Sequence, residues 1–289
     1  MLVHGDNLTQ KENSQNKYTD SQSKQFLAEI RAEYEKWKAA NEALKGPVSL
    51  ESDSDLAILQ QRIDLFSSYK DFIDQQNYAE QFDSRSNLHS SVLEEFMYYL
   101  FKDLVFEYSE LALLGKAHTF KDIFFNAPNY KEMISKPHVK FEKKDHDFAI
   151  GVTVNAKMSC AGVANEEHHT FQIPAIAIEC KTYLDKTMLE GSSTAAEQLK
   201  HRNPNALYFV VAEWLKLTEQ VNLRKFKVDQ IYVLRKQKNT DREYRYIPSY
   251  QKNPVYIDVV QHLFNSVRNH LTIDWESGVN FGLQKGYLL

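Results

Sequence analysis

Glu179 and Lys181 stand two residues apart at the end of the apolar run "AIAIECK" (175–181), where a buried strand would otherwise go on placing hydrophobes. Side chains alternate along a strand, so these two project from one face and Cys180 from the other. An upstream segment, "KKDHDFAIG" (143–151), reads as the start of a second strand, and antiparallel pairing with the first brings Asp147 beside Glu179. Two adjacent carboxylates repel and raise one another's pKa unless a cation is held between them. Mg²⁺ meets that need, because it takes a few carboxylate oxygens and keeps waters and phosphate oxygens as its remaining ligands. Such an ion acidifies a bound water and neutralises charge on a phosphate, while an ammonium such as Lys181 orients or deprotonates the water and stabilises the same charge. The bland reading is a cross-strand ion pair at a sheet edge. Against it stands the spacing: an acid at a strand start, about thirty residues before an apolar strand ending in E-x-K, with a helix and another buried strand to follow.

The elements that must position these residues are legible as periodicities. Phe26, Leu27, Ile30, Tyr34, Trp37 and Leu44 recur at helical intervals over about 22–45, before Gly46-Pro47. Leu56, Leu59, Ile63, Phe66 and Ile73 repeat the pattern after a Ser/Asp-rich start suited to a cap. A third helix, "NLHSSVLEEFMYYLFKDLVF", presents Leu93, Phe96, Met97, Leu100 and Leu104 on one face. After residue 140 the pattern turns to strands. "HDFAIGVTVNA" and "TFQIPAIAIEC" read as a hairpin with a long connection; "TMLEGSSTAAEQLKH" as a helix; "ALYFVVAEW" and "DQIYVLR" as strands. Asn253 and Pro254 mark the cap and first position of a last helix. This order predicts an α/β fold with a mixed sheet flanked by helices. The expected organisation is a polar leader over 1–20, a helical subdomain over 21–85, and an α/β core with a basic C-terminal region over 86–289.

The chain of 289 residues is 43% hydrophobic and 26% charged, ordinary for a globular protein. Its longest apolar runs fall short of a membrane span, and the Asn/Gln/Ser-rich start has no signal-peptide pattern, so a cytoplasmic location with no membrane partner is expected. Two cysteines, Cys160 and Cys180, write no disulfide framework, and Cys180 is expected as a small buried hydrophobe. His168 and His169 near Cys160 lack zinc-ligand spacing. The net charge of −4 is uneven: residues 216–252 carry ten Lys/Arg against four acids, with tyrosines interleaved. Such a stripe tracks phosphates or is simply a solvated face. Within it Lys225 and Lys227 are expected as phosphate contacts, and Arg242 or Arg245 as base readers. Lys186, in the turn after the catalytic strand with Tyr183, Asp185 and Thr187, is a further phosphate candidate, and Gln198 on the next helix is another.

The pattern resembles that of the PD-(D/E)XK nucleases over roughly 86–235, with His146 in place of the motif's proline. The words "LHSSVLEEFMYYLF", "DHDFAIG" and "IAIECKTYLDKTML" are similar to subunits of the heterodimeric type II restriction endonucleases of the BbvCI kind. That resemblance implies a restriction-endonuclease-like core with Asp147 and Glu179 on the metal and Lys181 at the attacking water. It implies a Mg²⁺-dependent, site-specific deoxyribonuclease that cuts one strand of double-stranded DNA at a short asymmetric site. The second strand then falls to a non-identical nuclease subunit, a homodimer being possible in isolation. Many such nucleases add an acid from the preceding helix. Of Glu94 and Glu95, Glu94 lies nearer the apolar face and is the better third metal ligand, although Ser91 and Glu94 also have capping-box spacing. The competing readings are a nuclease of this fold serving DNA repair or junction resolution, and a non-catalytic DNA-binding subunit, whose mark would be a lost acid or lysine.

Overall fold

The computed structural model describes residues 2–82, 87–239, 246–275 and 279–286. Helices α1 (Val3–Glu12), α2 (Ser21–Ala43), α3 (Asp53–Ile73), α4 (Gln76–Gln81) and α5 (Ser91–Phe106) come first. Side-chain caps start the two long ones: Asp20 accepts from the Ser23 amide at 2.8 Å and Ser52 from the Asp55 amide at 3.1 Å. Strand β1 (Leu113–Phe125), α6 (Tyr130–Ser135), β2 (Val139–Met158), β3 (Glu167–Leu184), α7 (Lys186–Arg202), β4 (Leu207–Leu215), β5 (Gln230–Val233), α8 (Ile257–Thr272) and α9 (Val279–Lys285) follow.

The five strands form one mixed sheet in the order β1-β2-β3-β4-β5. The first three pair antiparallel, and β3, β4 and β5 pair parallel. Alternation sorts β3 onto two cores. Ile176, Ile178 and Cys180 face α5, α3 and α8, whereas Ala177 faces Leu189, Ala196 and Leu199 of α7. The α/β fold with a mixed, helix-flanked sheet is the one the sequence predicts, and Cys180 is buried as expected.

Four differences have physical causes. Residues 3–12 are a packed helix rather than a solvated leader: His4 and Leu8 are fully buried against α3 and α5, so a few well-placed side chains outweigh a polar composition. The first 85 residues do not form a unit of their own, since one buried cluster runs from Leu8 through α2, α3 and α5 to Phe148, Ile178, Phe209 and Phe264. β1 went unread because Lys116, His118, Lys121 and Asp122 interrupt its apolar residues. The last long helix begins at Ile257, not Pro254; Val255 is buried, and Asn253 bridges back to Arg235 and Gln237 instead of capping.

The register of β2 with β3 slips between Ile150 and Gly151. A Cβ at Gly151 would lie 2.1 Å from the Ile173 carbonyl oxygen, so only glycine permits the approach. The outer halves of β1, β2 and β3 come together, with Thr119 of β1 paired to Gln172 of β3. Phe120, Phe141 and Phe171 pack inside this lobe at centroid distances of 4.8–5.9 Å.

Candidate active site

The site lies at the end of the sheet where β3 meets α7, and its geometry begins with an irregularity in β2. Gly115 pairs with Ala149 and Ala117 with His146, so Lys116 alone opposes both Asp147 and Phe148. This is a β-bulge, which re-aims a side chain out of the ordinary alternation. The pair Phe148↔Ile178 sets the register with β3, and one step further along both strands places Asp147 beside Glu179.

Asp147 Oδ2 accepts from the Cys180 amide at 2.9 Å and from Lys181 Nζ at 3.2 Å. Lys181 Nζ also meets Glu179 Oε1 at 2.6 Å, and the Tyr208 hydroxyl of β4 donates to Glu179 Oε2 at 3.2 Å. Burial and the neighbouring Glu179 push the Asp147 carboxyl above its ordinary value. Burial works against the Lys181 ammonium, but the charges of Asp147 and Glu179 outweigh it and raise its pKa. His146, in the place of the motif's proline, is buried edge-on to Tyr208 and pushed down to about 4, chiefly by burial.

Glu94, in the first turn of α5, faces the same cleft and is only 7% exposed. Its Oε2 is buried without a hydrogen-bond partner among the described residues, and burial followed by the charge of Asp147 pushes its pKa up to about 8. Glu95 points the other way, accepting from the backbone amides of His4 and Gly5 at 2.8 and 3.2 Å. The capping box is not made: Ser91 lies inside the helix, with its hydroxyl on His4 and the Leu88 carbonyl.

The cleft, of about 870 Å³, is lined by Glu94, Lys116, Asp147, Lys181 and Tyr183 and by Asp74, His89, Trp214, Tyr250 and Lys252. Glu94 and Asp147 in the cleft, with Glu179 beside Asp147, offer hard carboxylate oxygens, one of them buried and unpartnered among the described residues, and that chemistry suits a small divalent cation. Among the described residues no three acidic, His or Cys side chains are drawn up round one point, and Lys181 bridges Asp147 to Glu179.

The expected DNA contacts are not gathered here. Lys186 opens α7 with its side chain 59% exposed and a loose pair to Glu190 at 3.7 Å, and Asp185 is spent as the α7 cap on the Met188 amide. Gln198 is exposed further along α7. Lys225 and Lys227 lie in the β4–β5 connection; Lys225 sits over Phe226, and the Lys227 amide donates to Ser193 of α7. None of these five lines the cleft. Arg242 and Arg245 fall outside the described residues. Part of the basic stretch is internal: Arg235 is 2% exposed and pairs with the fully buried Glu213. Reading the sequence also missed Tyr208 and Lys116. Tyr208 follows one residue after the start of a recognisable strand, whereas Lys116 sits on the strand that gave no signal.

A solved structure described as the native BbvCI A2B2 tetramer at low resolution is similar at a TM-score of 0.65 and 21% identity, covering 95% of this chain and 97% of that one. No curated protein matches. The model of the Bpu10I restriction endonuclease family matches residues 85–288, a span containing Glu94, Asp147, Glu179 and Lys181. The chain therefore belongs to the Bpu10I restriction endonuclease family and is a type II restriction endonuclease, a site-specific deoxyribonuclease that works with a divalent metal ion.

Proposed function

We propose that this chain hydrolyses one strand of double-stranded DNA at a short asymmetric sequence, with Mg²⁺ as the metal, Asp147, Glu179 and Glu94 as its protein ligands, and Lys181 at the attacking water. The observation that carries this reading is that Lys181 bridges Asp147 and Glu179 where β2 meets β3, while Glu94 of α5 lines the same cleft as Asp147 and Lys181. When bound, the ion would supply an acidified water and a counter-charge for the phosphate. The chain's own residues supply the rest. The Cys180 amide holds the Asp147 carboxylate and the Tyr208 hydroxyl holds Glu179, which orients both side chains. Lys181, released from one of its two carboxylates, can donate to the water and hold it in line with the phosphorus, and its charge offsets that of the pentacovalent phosphate.

One chain offers one such constellation and a duplex has two strands, which supports a second, non-identical nuclease subunit for the other strand. The heteromeric assembly of the structurally similar BbvCI supports the same arrangement. No helix among the described residues is long and apolar enough to cross a membrane, and both cysteines are free, in keeping with action on DNA in the cytoplasm.

The test is strand-specific nicking. The chain, combined with its candidate partner subunit, is given a plasmid bearing the site, with Mg²⁺, with Ca²⁺ and with chelator. Discrete double-strand cuts in Mg²⁺, converted to a nick in one defined strand when this chain carries Glu179→Ala, support the reading. Unaltered double-strand cutting by the E179A assembly would overturn it.

A further inference from the structure

Among the described residues the cleft is acidic. Asp71, Asp74, Glu94 and Asp147 line it, and Lys181, which lines it too, is held by Asp147 and by the neighbouring Glu179. Lys252, also lining the cleft, is engaged by Asp71 at 2.6 Å and Asp74 at 3.3 Å. A DNA backbone entering such a cleft meets repulsion from each uncompensated carboxylate. Lys116 is different. It is exposed, lines the cleft, and has no ion pair or hydrogen bond among the described residues. It is also the single β1 residue opposite the bulge that presents Asp147, so the irregularity that aims the aspartate fixes the lysine's backbone beside it. Gly115 and Ala117, its two neighbours, are buried, which anchors the strand on either side of it.

We propose that Lys116 binds a non-bridging oxygen of the DNA backbone at the scissile phosphate or the one next to it. This rests on the nuclease reading given above and adds to it a phosphate-binding residue from β1. A solvated lysine would be expected to have no preferred phosphate. One seated opposite a bulge on a rigid strand can reach only a small part of the backbone. Its ammonium makes a charge-assisted hydrogen bond there, as a point charge rather than a fork.

The experiment uses the assembled enzyme with this subunit as wild type, Lys116→Ala or Lys116→Arg. Cutting of this subunit's strand is followed in a single turnover at saturating DNA and Mg²⁺, and affinity is measured in Ca²⁺. Duplexes carry one neutral methylphosphonate at a time, at the scissile phosphate and at each of its flanking positions. The expected result is a loss of about ten- to a hundredfold for K116A in rate or affinity, with most of it restored in K116R. One methylphosphonate position should cost the wild type a similar factor and cost K116A nothing more. Normal rate and affinity in K116A would overturn the proposal, as would a K116A defect that multiplies equally with every methylphosphonate. A wild-type assembly that binds without cutting would remove the nuclease reading, yet the affinity arm would still decide whether Lys116 faces one phosphate.

Discussion

Glu94 and Glu95 are consecutive residues of α5, both buried, and of the two it is Glu95 whose oxygens are hydrogen-bonded among the described residues. Glu95 is 1% exposed and accepts from two backbone amides of α1 and from the Tyr99 hydroxyl, whereas Glu94 keeps a buried oxygen unpartnered among the described residues. A helix turns by about 100° per residue, so adjacent positions serve different neighbours. Glu95→Ala should therefore lower stability by about 1–3 kcal/mol, through the amides it leaves unsatisfied, while its folded fraction still cuts DNA. Glu94→Gln should do the reverse, losing at least about a hundredfold in cutting rate while the protein stays folded. Thermal melts alongside single-turnover cleavage check both, and an active E94Q would remove Glu94 from the site.

The same residue sets a pH dependence. Its pKa of about 8 in the fold compares with an ordinary 4.5, so between those values the folded chain keeps a proton that the unfolded chain has released. Stability then falls as pH rises through that window, and Asp147, also raised, adds a contribution of the same sign. Melting of the metal-free protein should show wild type losing stability relative to E94Q from about pH 5 to pH 8, the difference shrinking when Mg²⁺ is added. Parallel curves for the two proteins would show that Glu94 titrates normally.

Asp145 and Asp147 lie on the same strand two residues apart and give a register test. Asp145 is 72% exposed and pairs with His118 at the surface, away from Glu179. Asp147 is tied to the Cys180 amide and Lys181. Asp147→Asn should abolish cutting, and Asp145→Asn should leave it within about threefold, since exposed pairs of this kind contribute little. An inactive D145N with normal melting would mean that the site's acid is not the one at the bulge.

How much of this was legible in the sequence follows from what each residue depends on. Asp147, Glu179 and Lys181 were found because strand alternation and hairpin pairing are local rules, and they place the three together in the structure. Glu94 was separated from Glu95 by helical geometry alone. Lys116 was invisible, because its placement depends on a bulge and on a strand whose lysines, histidine and aspartate mask the apolar alternation. The packing of α1 was equally hidden: His4 is satisfied by Ser91 and Tyr69, partners at separations of 87 and 65 residues that no local pattern reports.

Buried charge also limits what the basic stretch can do for DNA. Lys70, Glu213 and Arg235 form a chain inside the protein, with Lys70 Nζ 3.3 Å from Glu213 Oε1 and Arg235 Nε 3.3 Å from Glu213 Oε2. Removing the central carboxylate takes the ion pair from the buried Arg235 and leaves Lys70 paired with Asp74 alone among the described residues, so Glu213→Ala should destabilise by about 3–5 kcal/mol. Arg235→Ala should destabilise too, yet leave the salt dependence of DNA binding unchanged in the protein that remains folded, because an internal guanidinium releases no counterion from DNA. Lys225 and Lys227 carry no ion pair among the described residues. If they contact phosphates, Lys225→Ala and Lys227→Ala should each weaken binding about equally on cognate and scrambled duplexes and reduce the salt slope by about one unit. Affinities at several salt concentrations separate the two classes. A slope lowered in R235A, or one unmoved in both lysine variants, would mean that charge in this stretch is distributed toward DNA differently from its distribution in the fold.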